Sequence, residues 1–253
     1  MIKNEERFSG KADIYKKFRS SYPKELIDYL YSNIGFCENS VIADIGSGTG
    51  IFSRLLLERG SRVYCVEPND DMRRIAENDL GNATGFNSVK APAENTGLQE
   101  GSIDFITAAQ AFHWFEPEAF KKECRRILKT GGKVVLVWNV RDYESDIIKK
   151  DYEIRKKYCI DTKGLGVTDI PYGSRDFFSD FHYEEKIFRN DLNINRETYI
   201  GMNLSRSYSP CENKNPNEYN GLVKELNELF DKCNKDGVIH FPQFTKIYTG
   251  TVI

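Results

Sequence analysis

The stretch that decides the fold is ADIGSGTGIF, residues 43–52, in which glycine occupies alternate positions 46, 48 and 50 directly after an apolar run. The run VIADI at 41–45 predicts a strand, and FSRLLLERG at 52–60 places leucines at helical spacing and ends in glycine. The sequence therefore predicts a strand, a tight glycine turn and a helix, with a ligand held against the turn.

The alternation of short apolar runs and helix-like stretches continues through residues 41–139. Further strands are predicted at RVYCVE, FNSVKA, IDFITAA and KVVLVWN, and helices at NDDMRRIAEND and EPEAFKKECRRILKTGG, the second ending at its paired glycines. This order is typical of an α/β fold with a doubly wound parallel sheet and crossover helices.

Composition narrows the class of protein. The chain has 253 residues, 40% of them hydrophobic, which suits one large globular unit. A net charge of −2 gives no basic field for nucleic acid or acidic lipid, and no apolar run approaches the roughly 20 residues that span a bilayer. The N-terminus lacks a signal-peptide pattern and the six cysteines are scattered, which predicts free thiols in the cytoplasm. The three histidines lack metal-ligand spacing, so no metal is expected.

The glycine spacing separates two classes of ligand. The dinucleotide fingerprint needs a third glycine three positions after the second, but Ile51 follows Gly48 and Ser53 follows Gly50 at that distance. Asp44 lies two residues before the first glycine, where its carboxylate repels a pyrophosphate but suits a ligand that carries ammonium and sulfonium charges. The pattern favours S-adenosylmethionine over NAD. The alternative is that Asp44 only hydrogen-bonds the turn and the glycines only allow tight packing.

The end of the second predicted strand carries an independent signal. Glu67 ends RVYCVE and is placed to accept hydrogen bonds from both ribose hydroxyls of a bound nucleoside. NAD has the same ribose, so Glu67 indicates a nucleoside without deciding which one. After the third strand, APAENTGL places Ala93 and Glu94 where they can meet the adenine edge, although an acid in a loop is more often solvated.

These motifs, in this order, resemble the class I S-adenosylmethionine-dependent methyltransferases, and within them the small-molecule branch of trans-aconitate methyltransferase-like proteins. The resemblance rests on DIGSGTG, VEPNDDM, APAENTGL, AAQAFHWF and ECRRILKTGGKVVLVWN. It implies a Rossmann-like seven-stranded sheet with an antiparallel last strand and the cofactor over the carboxyl ends of the strands. The cofactor-binding residues that follow from the turn, the strand ends and the resemblance are Tyr15, Arg19, Tyr22, Asp44, Gly46, Ser47, Gly48, Glu67, Pro68, Met72, Ala93, Glu94, Gln110 and Ala111.

The stretch QAFHWF follows the fourth strand, where a class I methyltransferase brings methyl donor and acceptor together. Gln110 is expected to close over the methionine end of the cofactor. His113 is expected to supply a hydrogen bond or a base, and Trp114 an apolar wall of the acceptor pocket. Arg141, Arg206 and Tyr208 are expected to bind an acidic acceptor, because a guanidinium fork pairs well with a carboxylate. A carboxylate is already ionised at pH 7, so the role of His113 depends on the acceptor.

Four segments are predicted. Residues 1–36 form an N-terminal helical lid, 37–140 the cofactor-binding core, 141–182 a helical cap inserted after strand five, and 183–253 complete the sheet and the acceptor pocket. In the lid, Tyr15 and Arg19 share one face of a helix that Tyr22 continues. The resemblance implies that this face closes over the glycine turn, with Arg19 pairing with the cofactor's carboxylate. The alternative is a helix simply packed on the sheet.

Three functions remain at this stage. The leading one is methyl transfer from S-adenosylmethionine to a small molecule, with a carboxylate or other oxygen as acceptor, by a monomer or homodimer. The second is a methyltransferase-like module that binds the cofactor or a nucleoside without turnover. The third, an NAD-dependent oxidoreductase, is disfavoured by Ile51 and Asp44.

Overall fold

A computed structural model describes residues 12–159, 177–179 and 182–252 of the chain. Its main sheet has seven strands in the order β3-β2-β1-β4-β5-β9-β6. The neighbouring pairs from β3 to β5 are parallel, whereas β9 runs antiparallel to both β5 and β6. The strands of this sheet are β1 (Val41–Ile45), β2 (Arg62–Val66), β3 (Phe86–Val89), β4 (Ile103–Ala109), β5 (Leu128–Arg141), β6 (Tyr183–Arg189) and β9 (Gln243–Gly250). The predicted fold, with its antiparallel last strand, is therefore confirmed.

Helices cover the sheet and join its strands. They are α1 (Ala12–Phe18), α2 (Lys24–Tyr29), α3 (Ile51–Leu57), α4 (Asp70–Leu80), α5 (Pro117–Ile127), α6 (Asp146–Tyr158), α7 (Arg196–Leu204) and α8 (Pro216–Cys233). A π-helical turn, Leu30–Ile34, extends α2, and a 3-10 turn, Phe112–Trp114, follows β4. A second, antiparallel sheet pairs β7 (Leu192–Asn195) with β8 (Val238–Phe241).

Apolar side chains fill both faces of the main sheet. One buried cluster includes Ile106 and Phe120, and the other includes Leu30 and Leu56. A third cluster, with Tyr199 and Leu226, lies between α6, α7, α8 and the small sheet. Burial on both faces explains why the central strands read as continuous apolar runs.

Two predicted boundaries are wrong. The fifth helix ends at Ile127 instead of at the paired glycines, because Leu128 already has the extended ψ of 139° that starts β5. Residues 129–132 belong to β5, where its pairing with β4 changes register. In the N-terminal segment, helix α1 ends at Phe18, so Tyr22 does not continue its face. Tyr22 precedes Pro23, a position from which the proline ring excludes helical backbone.

The segment after β5 contains the predicted amphipathic helix, α6, which is followed by residues 160–176 outside the described part of the chain. Residues 1–11 of the expected lid also lie outside it. Within the described ranges no helix is long and apolar enough to cross a membrane, and no group of histidine, cysteine and acidic side chains is arranged to hold a metal ion.

Candidate active site

A cavity of about 450 Å³ lies at the carboxyl edge of the parallel strands. The predicted residues that line it are Tyr15, Arg19, Tyr22, Asp44, Gly46, Ser47, Gly48, Glu67, Pro68, Met72, Ala93, Glu94, Gln110, Ala111, Trp114, Arg141 and Arg206. It extends from Glu67, after β2, to Gln243 at the start of β9. These strands are four places apart in the sheet, which is about 19 Å at the usual strand spacing. This volume is typical of a small-molecule site.

The glycine turn brings bare backbone to the cavity. Its amides at Gly46 and Ser47 both donate to the Val66 carbonyl, at 2.8 and 3.1 Å, which fixes the turn on β2. A Cβ atom on Gly46 would lie 2.6 Å from the Cβ of Ala111, so this glycine is required for close packing. A Cβ on Gly48 would meet nothing within 4 Å and would project into open space, although its φ of +57° disfavours any side chain. Gly48 is therefore the position at which the turn is open to a ligand.

Glu67 is held against this turn. Its Oε2 accepts from the Gly48 amide at 2.9 Å and its Oε1 from the Asn69 amide at 2.8 Å. Burial raises the pKa of Glu67, and the two backbone amides partly oppose that effect. Each carboxylate oxygen has a second lone pair, so the side chain can still accept two hydroxyl hydrogen bonds.

Asp44 is buried beneath the cavity with 1% of its surface exposed. It accepts hydrogen bonds from Ser53 on α3 at 2.5 Å and from Thr107 on β4 at 2.7 Å. Burial raises its pKa to about 6, and the two hydroxyls partly oppose the shift. The Asp44 side chain thus joins β1 to α3 and β4, and it also lines the cavity.

The N-terminal segment covers the same part of the cavity. The Arg19 guanidinium lies over the Tyr15 ring at 4.6 Å, and Tyr22 packs edge-on against Phe52 with ring centroids 4.9 Å apart. Burial raises the pKa of Tyr22 well above its ordinary value. Among the described residues, Arg19 Nε has no hydrogen-bond partner. Tyr15, Arg19 and Tyr22 thus reach the cavity although they do not share one helix face.

The loop after β4 forms part of the cavity wall. Gln110 has a φ of +55°, which is uncommon for a residue with a side chain and is often found at functional sites. Its Nε2 donates to the Asn139 carbonyl at 3.0 Å, so the side chain bridges the ends of β4 and β5. Glu94 accepts from the Glu116 amide at 2.8 Å at the start of α5, which gives that carboxylate a structural partner as well.

His113 and Tyr208 are placed differently from the expectation. Neither is among the residues that line the cavity. The His113 ring is accessible to solvent and lies 4.6 Å from the Trp114 ring. Partial desolvation, followed by the charge of Arg19, acts to lower the pKa of His113. The Tyr208 hydroxyl accepts from Arg155 Nη1 at 3.3 Å, behind the arginines that reach the cavity.

Arg141 is the best-held side chain at the other end. Its Nη2 donates to Asn203 Oδ1 at 3.0 Å and lies 3.6 Å from Asp151 Oδ2. Burial, followed by the charges of Arg155 and Arg206, lowers the pKa of Arg141 to about 10, which leaves it charged at pH 7. The cavity thus has the carboxylates of Asp44 and Glu67 beside β1 and β2 and the guanidinium of Arg141 at the end of β5, and Arg19 and Arg206 line it as well.

Sequence reasoning missed several lining residues. They are Ser20, Thr49, Ile51, Phe52, Asn69, Pro92, Ala109, Phe115, Asn139 and Gln243. Asn139 could have been predicted from the sequence, because it lies at the end of the predicted strand KVVLVWN and the carboxyl ends of parallel strands meet at one edge of the sheet. Gln243 carried none, because its position depends on the pairing of β9 with a strand about 100 residues earlier in the chain.

The comparisons with known proteins agree with this geometry. Residues 43–136 match the family model described as a methyltransferase domain. An uncharacterised methyltransferase of Mycobacterium tuberculosis is 34% identical over 135 residues, which are 53% of each chain. An uncharacterised methyltransferase-like protein of Schizosaccharomyces pombe is 31% identical over 145 residues, 57% of this chain and 56% of that one. The chain thus matches about half the length of these curated relatives.

Two solved structures share the fold over most of the chain. One, described as a type II methyltransferase from Anaeromyxobacter dehalogenans, has a TM-score of 0.67 at 21% identity and covers 93% of this chain and 99% of its own. The other is a phosphoethanolamine N-methyltransferase of Haemonchus contortus in complex with phosphomonomethylethanolamine and S-adenosylhomocysteine. Its TM-score is 0.55 at 15% identity, over 99% of this chain and 60% of its own. Residues 43–136 thus match a methyltransferase domain, the two solved structures share the fold, and the cofactor that the match indicates is S-adenosylmethionine.

The residues present fit this cofactor. The open position at Gly48 admits a ligand, and Asp44 and Glu67 supply negative charge toward a ligand with cationic groups. Within the described residues, the buried hydroxyls of Ser47 and Thr49 in the turn also have no hydrogen-bond partner. A buried polar atom without a partner is costly, so a bound ligand that supplies one is favoured.

Proposed function

We propose that this protein transfers the methyl group of S-adenosylmethionine to an oxygen of a small carboxylic acid in the cytoplasm. The observation that carries the proposal is the charge separation along one cavity, with Asp44 and Glu67 at one end and Arg141 and Arg206 at the other. The motif resemblance to trans-aconitate methyltransferase-like proteins supports the same acceptor class. A monomer or homodimer stays a prediction.

At the cofactor end, Glu67 would hold the ribose hydroxyls and Arg19 the carboxylate of the cofactor. Contacts with the rest of the cofactor are assigned to Tyr15, Tyr22, Asp44, Gly46, Ser47, Gly48, Pro68, Met72, Ala93, Glu94, Gln110 and Ala111. The location of these residues along one wall supports the assignment. S-adenosylmethionine, when bound, supplies an electrophilic methyl group on a sulfonium centre.

At the acceptor end, Arg141 and Arg206 would bind carboxylate, and Trp114 would form an apolar wall. A carboxylate acceptor is ionised at pH 7 and needs no general base, so the position of His113 off the cavity does not weaken the proposal. The chain's contribution to rate is then alignment of the acceptor and exclusion of water by the α1 segment.

The test is release of S-adenosylhomocysteine by the purified protein with a panel of small carboxylic acids and, for comparison, phenols. Turnover with an acid supports the proposal. Binding of S-adenosylmethionine without turnover on either panel would instead favour the non-catalytic binding module. Binding of NADH without binding of S-adenosylmethionine would favour the third function, an NAD-dependent oxidoreductase.

A paired substitution links turnover to the cavity. Gly48→Val is expected to abolish cofactor binding and turnover, because the new side chain would occupy the ligand's space. Gly101→Val is the matched control, since Gly101 has a φ of +58°, has nothing within 4 Å of its position for Cβ, and lies outside the cavity lining. Calorimetry with S-adenosylhomocysteine should show binding to Gly101→Val alone, and equal binding to both variants would make the turn purely structural.

A further inference from the structure

Two buried side chains on neighbouring strands face the acceptor end of the cavity. Arg141 ends β5, Gln243 begins β9, and the two residues are direct partners in the antiparallel register. Direct partners in a sheet project their side chains to the same face. Both line the cavity, with 7% and 3% of their surface exposed.

Each of these side chains has a nitrogen donor without a protein partner. Among the described residues, no acceptor lies within hydrogen-bond distance of Arg141 Nε or Gln243 Nε2. Burying an unpaired donor costs the full desolvation of that group. Two such donors, on side chains that line one cavity from paired positions of neighbouring strands, therefore favour a ligand with acceptor oxygens.

The surrounding contacts hold the pair in place. The Arg141 guanidinium is bonded to Asn203 and lies over the Phe241 ring at 5.3 Å. The backbone of Gln243 is fixed by its amide, which donates to Asp191 at 3.1 Å, and by its carbonyl, which accepts from Asn190 at 2.9 Å. The Arg141 guanidinium and the backbone that carries the Gln243 side chain are thus preorganised, which lowers the entropy cost of binding.

The positive charge around Arg141 favours an anionic ligand over a neutral one. Arg141, Arg155 and Arg206 all interact with the single carboxylate of Asp151, so this group of four residues has a net positive charge. A planar carboxylate presents two oxygens to two adjacent N–H groups, and it gains from the positive field, whereas a neutral amide gains only the hydrogen bonds.

We propose that Arg141 Nε and Gln243 Nε2 form a two-donor subsite for one carboxylate of the acceptor, with Gln243 as a specificity-determining residue. The inference rests on the proposed function, because it places the acceptor beside the cofactor. It adds a residue that no motif indicates, and it assigns the anion to a defined pair of atoms instead of to the arginines in general.

The test is calorimetric titration of the protein loaded with S-adenosylhomocysteine. The probes are benzoate and succinate, their uncharged counterparts benzamide and succinamide, and inorganic phosphate. We expect the wild-type protein to bind at least one of the acids about tenfold tighter than its amide, as hydrogen bonds to a charged group allow. Gln243→Leu should lose about tenfold in affinity for that acid while its affinity for S-adenosylhomocysteine stays unchanged.

Gln99→Leu is the matched control, since it removes an exposed amide outside the cavity lining and should bind like the wild type. Gln243→Glu is the second variant, and it should abolish binding of the acid because the new carboxylate pairs with Arg141. Failure of the wild type to bind S-adenosylhomocysteine would remove the proposed function. If the wild type binds S-adenosylhomocysteine normally, three results would each overturn the subsite alone. The first is that Gln243→Leu binds the acid like the wild type, and the second is that neither acid binds better than its amide. The third is that phosphate binds more tightly than both acids.

Discussion

The buried carboxylate of Asp44 destabilises the fold, but it can stabilise a bound cationic ligand. Its carboxylate is buried, and the hydroxyls of Ser53 and Thr107 do not fully offset the lost hydration, so its pKa rises to about 6. At neutral pH the folded protein therefore carries an unfavourable buried charge. A cationic ligand at the cavity would relieve part of that cost, which is the behaviour expected of a binding residue.

The pH dependence of stability follows from this shift. Between pH 3.8 and 6 the folded state keeps a proton on Asp44 that the unfolded state releases, so the free energy of unfolding falls as pH rises through this window. Asp44→Asn removes the titration. The stability of the variant relative to wild type is expected to rise by about 2 kcal/mol between pH 4.5 and 7.5, measured by urea denaturation of the ligand-free protein.

Asp28→Asn is the control for Asp44→Asn. Lys24 and Arg59 hold the pKa of Asp28 below its ordinary value of 3.8, so its contribution to stability is lost only as pH falls below that value. The difference in free energy of unfolding between Asp28→Asn and the wild type should stay constant from pH 4.5 to 7.5. Parallel stability curves for wild type and Asp44→Asn would show that Asp44 is not an ionised, poorly solvated group.

At the scale of elements, a buried polar network joins β5, α6 and α7. Asp151 on α6 has no exposed surface and accepts from Arg155 Nε at 2.7 Å, from the Tyr199 hydroxyl at 2.9 Å and from Asn203 Nδ2 at 3.1 Å. Burial acts to raise its pKa, but Arg141 and Arg155 outweigh this effect and hold the pKa of Asp151 below its usual value. The network therefore sets the position of Arg141 from two helices.

Removal of this one charge should destabilise the fold. Asp151→Asn leaves the buried guanidinium groups of Arg141 and Arg155 without their anion, and breaking a buried ion pair typically costs about 3–5 kcal/mol. Urea denaturation at pH 7.5 should show a loss of that order. Asp146→Asn, at an exposed position in the first turn of the same helix, should change stability by about 0.5 kcal/mol or less. Similar losses in both variants would contradict a special role for Asp151.

At the scale of the whole molecule, the sequence predicted the cavity lining beside β1 and β2 better than the lining beside β5 and β9. Asp44, Glu67 and the glycine turn are local to β1 and β2, and parallel strands bring their carboxyl ends to one edge whatever the rest of the chain does. The lining beside β5 and β9 depends on long-range pairing. Gln243 reaches the cavity only because β9 inserts between β5 and β6, and Asn203 reaches Arg141 only because α7 packs beside α6.

Helix α1 contacts both α4 and α7. Lys16 pairs with Asp79 on α4 at 2.7 Å, and Lys17 pairs with Glu197 on α7 at 2.5 Å. Exposed pairs of this kind contribute little stability. Beyond the helix, Ser21 is fixed, since its carbonyl accepts from the side chains of Asn139 and Asn190, both at 3.2 Å. The segment thus combines a helix held by exposed ion pairs and by the partly buried side chains of Tyr15 and Phe18 with an anchored end, and we predict that it closes on a ligand.

This arrangement predicts that a bound ligand slows hydrogen exchange in the N-terminal segment. Amide hydrogens of residues 12–22 should exchange quickly in the ligand-free protein and slow with S-adenosylhomocysteine, because Arg19 and Tyr22 line the cavity. Arg19→Ala should weaken binding of that ligand without lowering the thermal stability of the ligand-free form. Arg59→Ala is the matched control, since Arg59 lies over the Tyr31 ring at 4.7 Å, as Arg19 lies over Tyr15, but outside the cavity lining. Equal exchange in both states, together with normal binding by Arg19→Ala, would make α1 a structural helix and remove Arg19 from the site.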